Sequence, residues 1–163
     1  TCALPIYPEW QLQQTSQWMN QAQRLRPHFW AYLQREGKVT EPMMALRLYG
    51  SSSDFGVSLE VSFIERKKDE QTLGKQAKVL EIPTVEGIYY LAYSDGQSQR
   101  WEANEENRRT LREKLRSQEV RKVLVKADVS VTENSSEEDI VENLLKSYDK
   151  ILPFYLADRK SVV

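Results

Sequence analysis

The sequence predicts an α+β fold, a mainly antiparallel sheet of about five to six strands with helices placed before and after it. Three observations carry that expectation. Apolar residues recur at steps of three and four through residues 18–33; the period changes to two after Pro42; and capping signals at Asn104 and Ser136 each open an amphipathic stripe.

Taken in order, WQLQQTSQWMNQAQRLRPHFWAYLQREG sets Trp18, Ala22, Leu25, Phe29 and Leu33 on one face of a helix. Pro27 lies inside it and lacks the amide that the helical ladder needs, so N-terminal helices kinked or divided at Pro27 are expected, with Gly37 as the stop. After Pro42, the residues Met44, Leu46 and Leu48 share one side of a short strand, and GSSSD turns the chain. FGVSLEVSFIERK alternates most cleanly: Val57, Leu59, Val61 and Phe63 point one way, Ser58, Glu60 and Ser62 the other. KKDEQTLGKQAK reads as the loosest stretch, KVLEIP and GIYYLAY as strands, and Asp95-Gly96 as the tight turn into QSQRWEA. Asn104 caps a helix near 104–118 whose first turn carries Glu105 and Glu106, as the positive helix end prefers. RKVLVKADVSV returns to period two. Ser135-Ser136-Glu137-Glu138 has capping-box spacing and opens a last helix near 136–152, with Pro153 marking its end.

The two ends stand apart from this pattern. TCALPI is the translation of ACG TGT GCT CTT CCG ATC, the tail of a common sequencing adapter, and DRKSVV that of GAT CGG AAG AGC GTC GTG, the reverse complement of its partner. Residues 1–6 and 158–163 are therefore expected to be adapter-derived, and 7–157 to be a single α+β domain from a longer protein, a metagenomic fragment. The one cysteine, Cys2, lies in the first flank, so disulfide, thiolate and cysteine-zinc chemistry are not expected of the rest. That absence and the lack of a bilayer-length apolar run fit a cytoplasmic protein that does not enter a membrane.

Charge is informative through its distribution. Setting aside Asp158, Arg159 and Lys160 takes 23 basic and 24 acidic residues to 21 and 23, a net of −2. Residues 100–126 hold nine basic and five acidic side chains, residues 127–157 two basic and seven acidic, so the back half is polarised along the chain.

One set of residues resembles a catalytic constellation. Asp54 before the best strand, with Glu65 and Lys67 two apart at its far end, resembles the metal-binding core of PD-(D/E)xK nucleases, in which acids hold a divalent cation and a lysine assists. At about 3.3 Å per residue, a straight strand would hold Asp54 and Glu65 more than about 30 Å apart, whereas the chemistry needs them together. A strand running out into a charged hairpin explains the same residues. His28 is the only histidine, which removes His-pair metal sites, and no glycine-rich phosphate loop occurs. No catalytic residue, metal or cofactor is therefore assigned, and an enzyme is the lesser expectation.

Binding is the expected role. On the helix after Asn104, a turn of about 100° per residue gathers Arg108, Arg109, Arg112 and Arg116 beside the Leu111 and Leu115 stripe, with Arg100, Arg121 and Lys122 at adjoining strand ends. Such a ridge suits a phosphate backbone, and Trp101 or the tyrosines of IYYLAY offer a stacking face. The same arginines also suit a solvated helix face paired with Glu105 and Glu113, or pairing with the acidic last helix. The expected partner is thus DNA or RNA, with the protein domains of the parent chain as the alternative.

The order of Gly87-Ile88-Tyr89-Tyr90, the Asp95-Gly96 turn, a helix, a late strand and an acid-capped helix ending near 152–155 resembles the DNA-recognition domain that precedes the motor in modification-dependent restriction GTPases. The resemblance covers the last half of the chain and implies a DNA-binding module of a longer protein. No tryptophan-proline strand precedes it, and no functional residue carries over.

Overall fold

Alternation in FGVSLEVS is what the fold is built on. The computed structural model describes residues 11–17, 19, 22–24, 29–35, 42–50, 54–63 and 70–157. Its elements are β1 (Gln11–Thr15), β2 (Phe29–Gln34), β3 (Met43–Gly50), β4 (Phe55–Ser62), α1 (Glu70–Val79), β5 (Tyr89–Ser94), β6 (Gln97–Glu102), α2 (Glu105–Arg116), β7 (Lys122–Ser130) and α3 (Glu137–Tyr155). All seven strands join one antiparallel sheet in the order β1-β2-β3-β4-β7-β5-β6. β7 pairs with both β4 and β5, so α1, the β5-β6 hairpin and α2 form an excursion between two neighbouring strands.

Directly opposed residues share a face of the sheet, so the register sorts the side chains. Met44, Val61, Val125 and Tyr90 follow one another across four strands, and Leu46, Leu59 and Ala127 across three. With Leu73, Leu111, Leu115, Ile151, Phe154 and Tyr155 from the helices they make the main core. Among the described residues, the helices therefore pack on one face of the sheet, as in an α+β architecture.

The local signals explain most boundaries. Asn104 accepts the Asn107 amide at 2.8 Å and starts α2. Ser136 and Asp139 form a reciprocal capping box at α3. Asp95 and Gly96 both take positive φ, 49° and 77°, the pair a two-residue primed hairpin needs.

Four expectations are corrected. The N-terminal helix expected through 18–33 does not hold where the chain is described: residues 22–24 are not helical, and Phe29–Gln34 is β2, paired with β3, its residues FWAYL also alternating, with Phe29, Ala31 and Leu33 on the helix side. Pro27, His28 and Gly37 lie outside the described residues. Among the described residues the sheet accordingly has seven strands, where about five to six are expected. The stretch read as a loose loop and then as the strand KVLEIP contains α1: Leu73, Ala77 and Leu80 are a helical stripe that Gly74 obscures. Finally, Pro153 does not end α3, which runs on to Tyr155. A proline inside a helix costs about 3 kcal/mol. Phe154 and Tyr155 are fully buried, each gaining about 2 to 3 kcal/mol, so packing outweighs the break.

Two polar ties fix the excursion. Gln76 of α1, 1% exposed, donates to the Arg121 carbonyl at 3.0 Å and accepts the Val123 amide at 2.8 Å, so α1 completes the start of β7. At the other end, the Glu105 carboxylate accepts the Thr84 amide at 3.2 Å, the Thr84 hydroxyl at 3.1 Å and Arg108 Nε at 2.9 Å. The Arg108 hydrogen bonds, then the Thr84 amide, draw the Glu105 pKa from 4.5 down to about 2. A depressed carboxylate adds stability that is complete above its unfolded value and disappears as pH falls through the folded one. In urea denaturation, Glu105→Gln is therefore expected to differ from the wild type at neutral pH and to converge with it as pH approaches about 2. A constant difference across that range counts against the tie.

Among the described residues, no helix is long and apolar enough to cross a membrane.

Candidate functional site

Among the described residues, the face of the sheet turned away from α1, α2 and α3 carries the side chains that alternation points away from those helices; it is buried toward β3 and β4 and accessible toward β5 and β6. Its register runs Ala45, Glu60, Lys126, Tyr89 and Glu102 across five strands. Alongside run Arg47, Ser58 and Asp128, then Leu124, Leu91 and Arg100, then Lys122, Tyr93 and Ser98. Trp30 faces Arg47, and Tyr32 faces Ala45.

The middle of this face is sunken and charged. Glu60 is 1% exposed and holds Arg47 Nη2 at 3.1 Å through one oxygen and Lys126 Nζ at 3.1 Å through the other. Burial works against the charge on Arg47, but the Glu60 charge and hydrogen bond outweigh it, and the Arg47 pKa is raised. Met43, Ala45, Ser58 and Leu124 are buried around this triad. Gly56 leaves room for Tyr49 from the neighbouring strand; a Cβ there would meet the Tyr49 hydroxyl at 2.4 Å.

Toward β5 and β6 the face becomes aromatic and accessible. The Tyr89 hydroxyl donates to both Asp128 oxygens at 3.0 Å. Burial, then the Asp128 charge and hydrogen bond, raise its pKa, which keeps it a proton donor. Arg100 Cζ sits 3.7 Å from the centre of the Tyr89 ring, and its Nη1 lies 3.9 Å from Asp128, yet its side chain is 65% exposed. Lys122 Nζ is 5.4 Å from the centre of the Tyr93 ring. At the opposite end, Trp30 and Tyr32 stack with centroids 4.4 Å apart and planes at 21°. From β2 to β6 the face spans at most about 24 Å at a strand spacing of about 4.8 Å.

The eight residues expected to bind nucleic acid are divided between two surfaces. Arg100 and Lys122 lie on the face turned away from α1, α2 and α3; Trp101, one residue on, faces the helices and packs against the core. Arg108 is tied to Glu105 and to the carbonyls of Leu80 and Glu81 at 2.9 and 3.1 Å, so it serves the fold. Arg112 reaches Glu81 at 4.0 Å, and Arg121 donates to Gln118 at 2.9 Å. Arg109 and Arg116 are exposed, and among the described residues neither has a carboxylate partner. Two acids of α3 are engaged locally, Asp139 in its capping box and Glu142 on Lys146 at 3.0 Å.

For the nuclease-like set, Asp54 is exposed just before β4, while Glu65 and Lys67 lie outside the described residues. Among the described residues, no three of His, Cys, Asp and Glu gather as a metal site. Sequence reasoning passed over Arg47, Glu60, Lys126 and Asp128 as a group. The signal was present for three of them, since the alternation that turns Val57, Leu59, Val125 and Ala127 inward turns Glu60, Lys126 and Asp128 the other way.

Comparison of the chain with protein-family models, curated proteins and solved structures finds no match.

Proposed function

We propose that the domain is a binding module for single-stranded nucleic acid, without chemistry of its own, and that the β5-β6 side of the sheet face turned away from α1–α3 receives the strand. The observation that carries this reading is the exposed guanidinium of Arg100 seated over Tyr89, with Lys122 over Tyr93 beside it. Bases stack on guanidinium and aromatic faces, and such stacks are sequence-tolerant because every base has a π-face. Phosphates find the same two cations. Glu60 and Asp128 do not oppose them freely, because Arg47, Lys126 and the Tyr89 hydroxyl already engage those carboxylates. A sheet presents this row to an unstacked strand, whereas the bases of a duplex are closed to it.

The test is fluorescence anisotropy with labelled single-stranded and duplex oligonucleotides over a salt series. The single strand is expected to bind better. Its log K should fall linearly with log salt at about −0.7 per phosphate contacted. Arg100→Ala and Tyr93→Ala should each weaken it by about tenfold, the effect of one lost stack, while Arg109→Ala on α2 changes little. A flat salt response, or equal affinity for wild type and Arg100→Ala, contradicts the reading.

A further inference from the structure

β6 is the last strand of the sheet, and among the described residues nothing pairs with its outer edge. The other terminal strand, β1, is interrupted by a break in register between Leu12 and Gln14. β6 lacks that protection: it keeps unbroken register with β5 from Gln97 to Glu102, holds no proline, and is exposed except at Trp101.

The hairpin decides which backbone groups face outward. Ser94 and Gln97 flank its two-residue turn, so the Gln97 amide bonds back to Ser94. Direction alternates along a strand, so Gln99 and Trp101 also bond toward β5, while Ser98, Arg100 and Glu102 turn their N–H and C=O groups out. Consistent with this, the Glu102 carbonyl accepts the Asn104 amide at 3.0 Å and Asn107 Nδ2 at 2.9 Å. Ser98 and Arg100 are left with free donors and acceptors.

The side chains of the same strand repeat the observation independently. Gln97, Gln99 and Trp101 point to the helix side and line a cavity of about 450 Å³ with the Lys114–Glu119 ion pair. Among the described residues neither carboxamide has a partner, and the Trp101 Nε1–H is closed off from water without an acceptor. A buried donor left unpaired is costly.

We propose that a second copy of the chain completes this edge, β6 pairing antiparallel with its own counterpart about a two-fold axis at Gln99. Outward-facing residues must meet outward-facing ones, and two registers that keep most of β6 paired satisfy this, centred on Gln99 or on Arg100. Centring on Arg100 sets two guanidinium groups directly opposite each other, a destabilising like-charge pair. Centring on Gln99 bonds Ser98 to the copy's Arg100 in both directions. It also brings the two Gln99 carboxamides together at a position where cross-strand side chains are closest, and sets the copy's Gln97 opposite Trp101. A carboxamide both donates and accepts, so Gln99 pairs with itself and Gln97 supplies the acceptor that Trp101 lacks. The axis is normal to the sheet and keeps like faces on one side, so the two Arg100–Tyr89 pairs share one continuous surface.

The test is sedimentation equilibrium of the chain without nucleic acid, so this pairing and the strand-binding reading stand or fail separately. A single strand edge is a small interface, below about 1,200 Å², so a monomer–dimer equilibrium with a Kd of about 10 to 100 μM is expected. Gln99→Lys and Gln99→Glu should each be monomeric alone and dimerise when mixed at low salt, a rescue that a damaged fold does not give. In a Cys2→Ser background, oxidation should cross-link Gln99→Cys between chains at least tenfold faster than Ser98→Cys, because only the axis position meets itself. A chain that stays monomeric at about 1 mM overturns the proposal. So does a dimer that Gln99→Lys leaves intact, a mixture of the two charge variants that stays monomeric, or equal cross-linking at the two positions.

Discussion

Glu60→Ala is expected to lower the unfolding free energy by about 3 to 5 kcal/mol, the usual cost of removing one member of a buried ionic cluster. The carboxylate is 1% exposed, Lys126 is nearly as buried at 11%, and Arg47 is partly exposed at 29%. Without Glu60, two cations face each other on the floor of the sheet with no anion between them. A domain of ordinary stability, about 5 to 15 kcal/mol, loses a large share of it. The origin is distinguishable from simple loss of packing. Replacing all three together, Glu60→Leu with Lys126→Met and Arg47→Met, removes the charges along with the carboxylate and is expected to recover most of the loss. Urea denaturation of the two variants checks this. A loss below about 1 kcal/mol for Glu60→Ala, or a triple variant less stable than the single one, contradicts the buried-triad account.

Gln76→Leu is expected to cost about 2 to 4 kcal/mol. The side chain is 1% exposed and satisfies two backbone groups at once, the Arg121 carbonyl and the Val123 amide. Leucine fits the volume but leaves a buried donor and a buried acceptor unpaired, each at about 1 to 3 kcal/mol. The loss is local in origin, so the Val123 amide should also lose protection from hydrogen exchange ahead of the central residues of β7. Gln76→Glu separates the two bonds: a carboxylate still accepts the Val123 amide but opposes the Arg121 carbonyl. Unchanged stability in Gln76→Leu shows that neither bond ties α1 to the sheet.

How far the sequence carried depended on whether a segment's pattern was decided locally. Asn104 and Ser136 cap the helices they were expected to cap, Asp95-Gly96 makes its hairpin, and β4 and β7 alternate as written, because capping, turn conformation and a one-sided strand are short-range effects. β2 was misread because Phe29 and Leu33 fit a helical stripe and, with Ala31, a strand equally well; pairing with β3 decides between them. α1 was hidden by Gly74, a weak helix residue whose cost the packing of Leu73, Leu80 and Gln76 offsets.

The candidate site divided in the same way. That Arg100 adjoins Tyr89 follows from the Asp95-Gly96 hairpin and strand alternation, whereas Lys122 meets Tyr93 only through the pairing of β5 with β7. That Arg108 serves the carbonyls of Leu80 and Glu81 was not legible, because the segment supplying them lies far from it in the chain. The Glu60 triad draws on three strands, and only the sheet order β3-β4-β7 brings its members together.

The central claim is that the β5-β6 side of the sheet face turned away from α1–α3 receives a single strand, and mapping backbone amide resonances during titration with a short single-stranded oligonucleotide tests it most directly. Shifts concentrated at Tyr89, Tyr93, Arg100, Lys122 and Lys126, with α1 and α2 unmoved, are the predicted result. Shifts confined to the helices, or a spectrum that the oligonucleotide leaves unchanged, would contradict it.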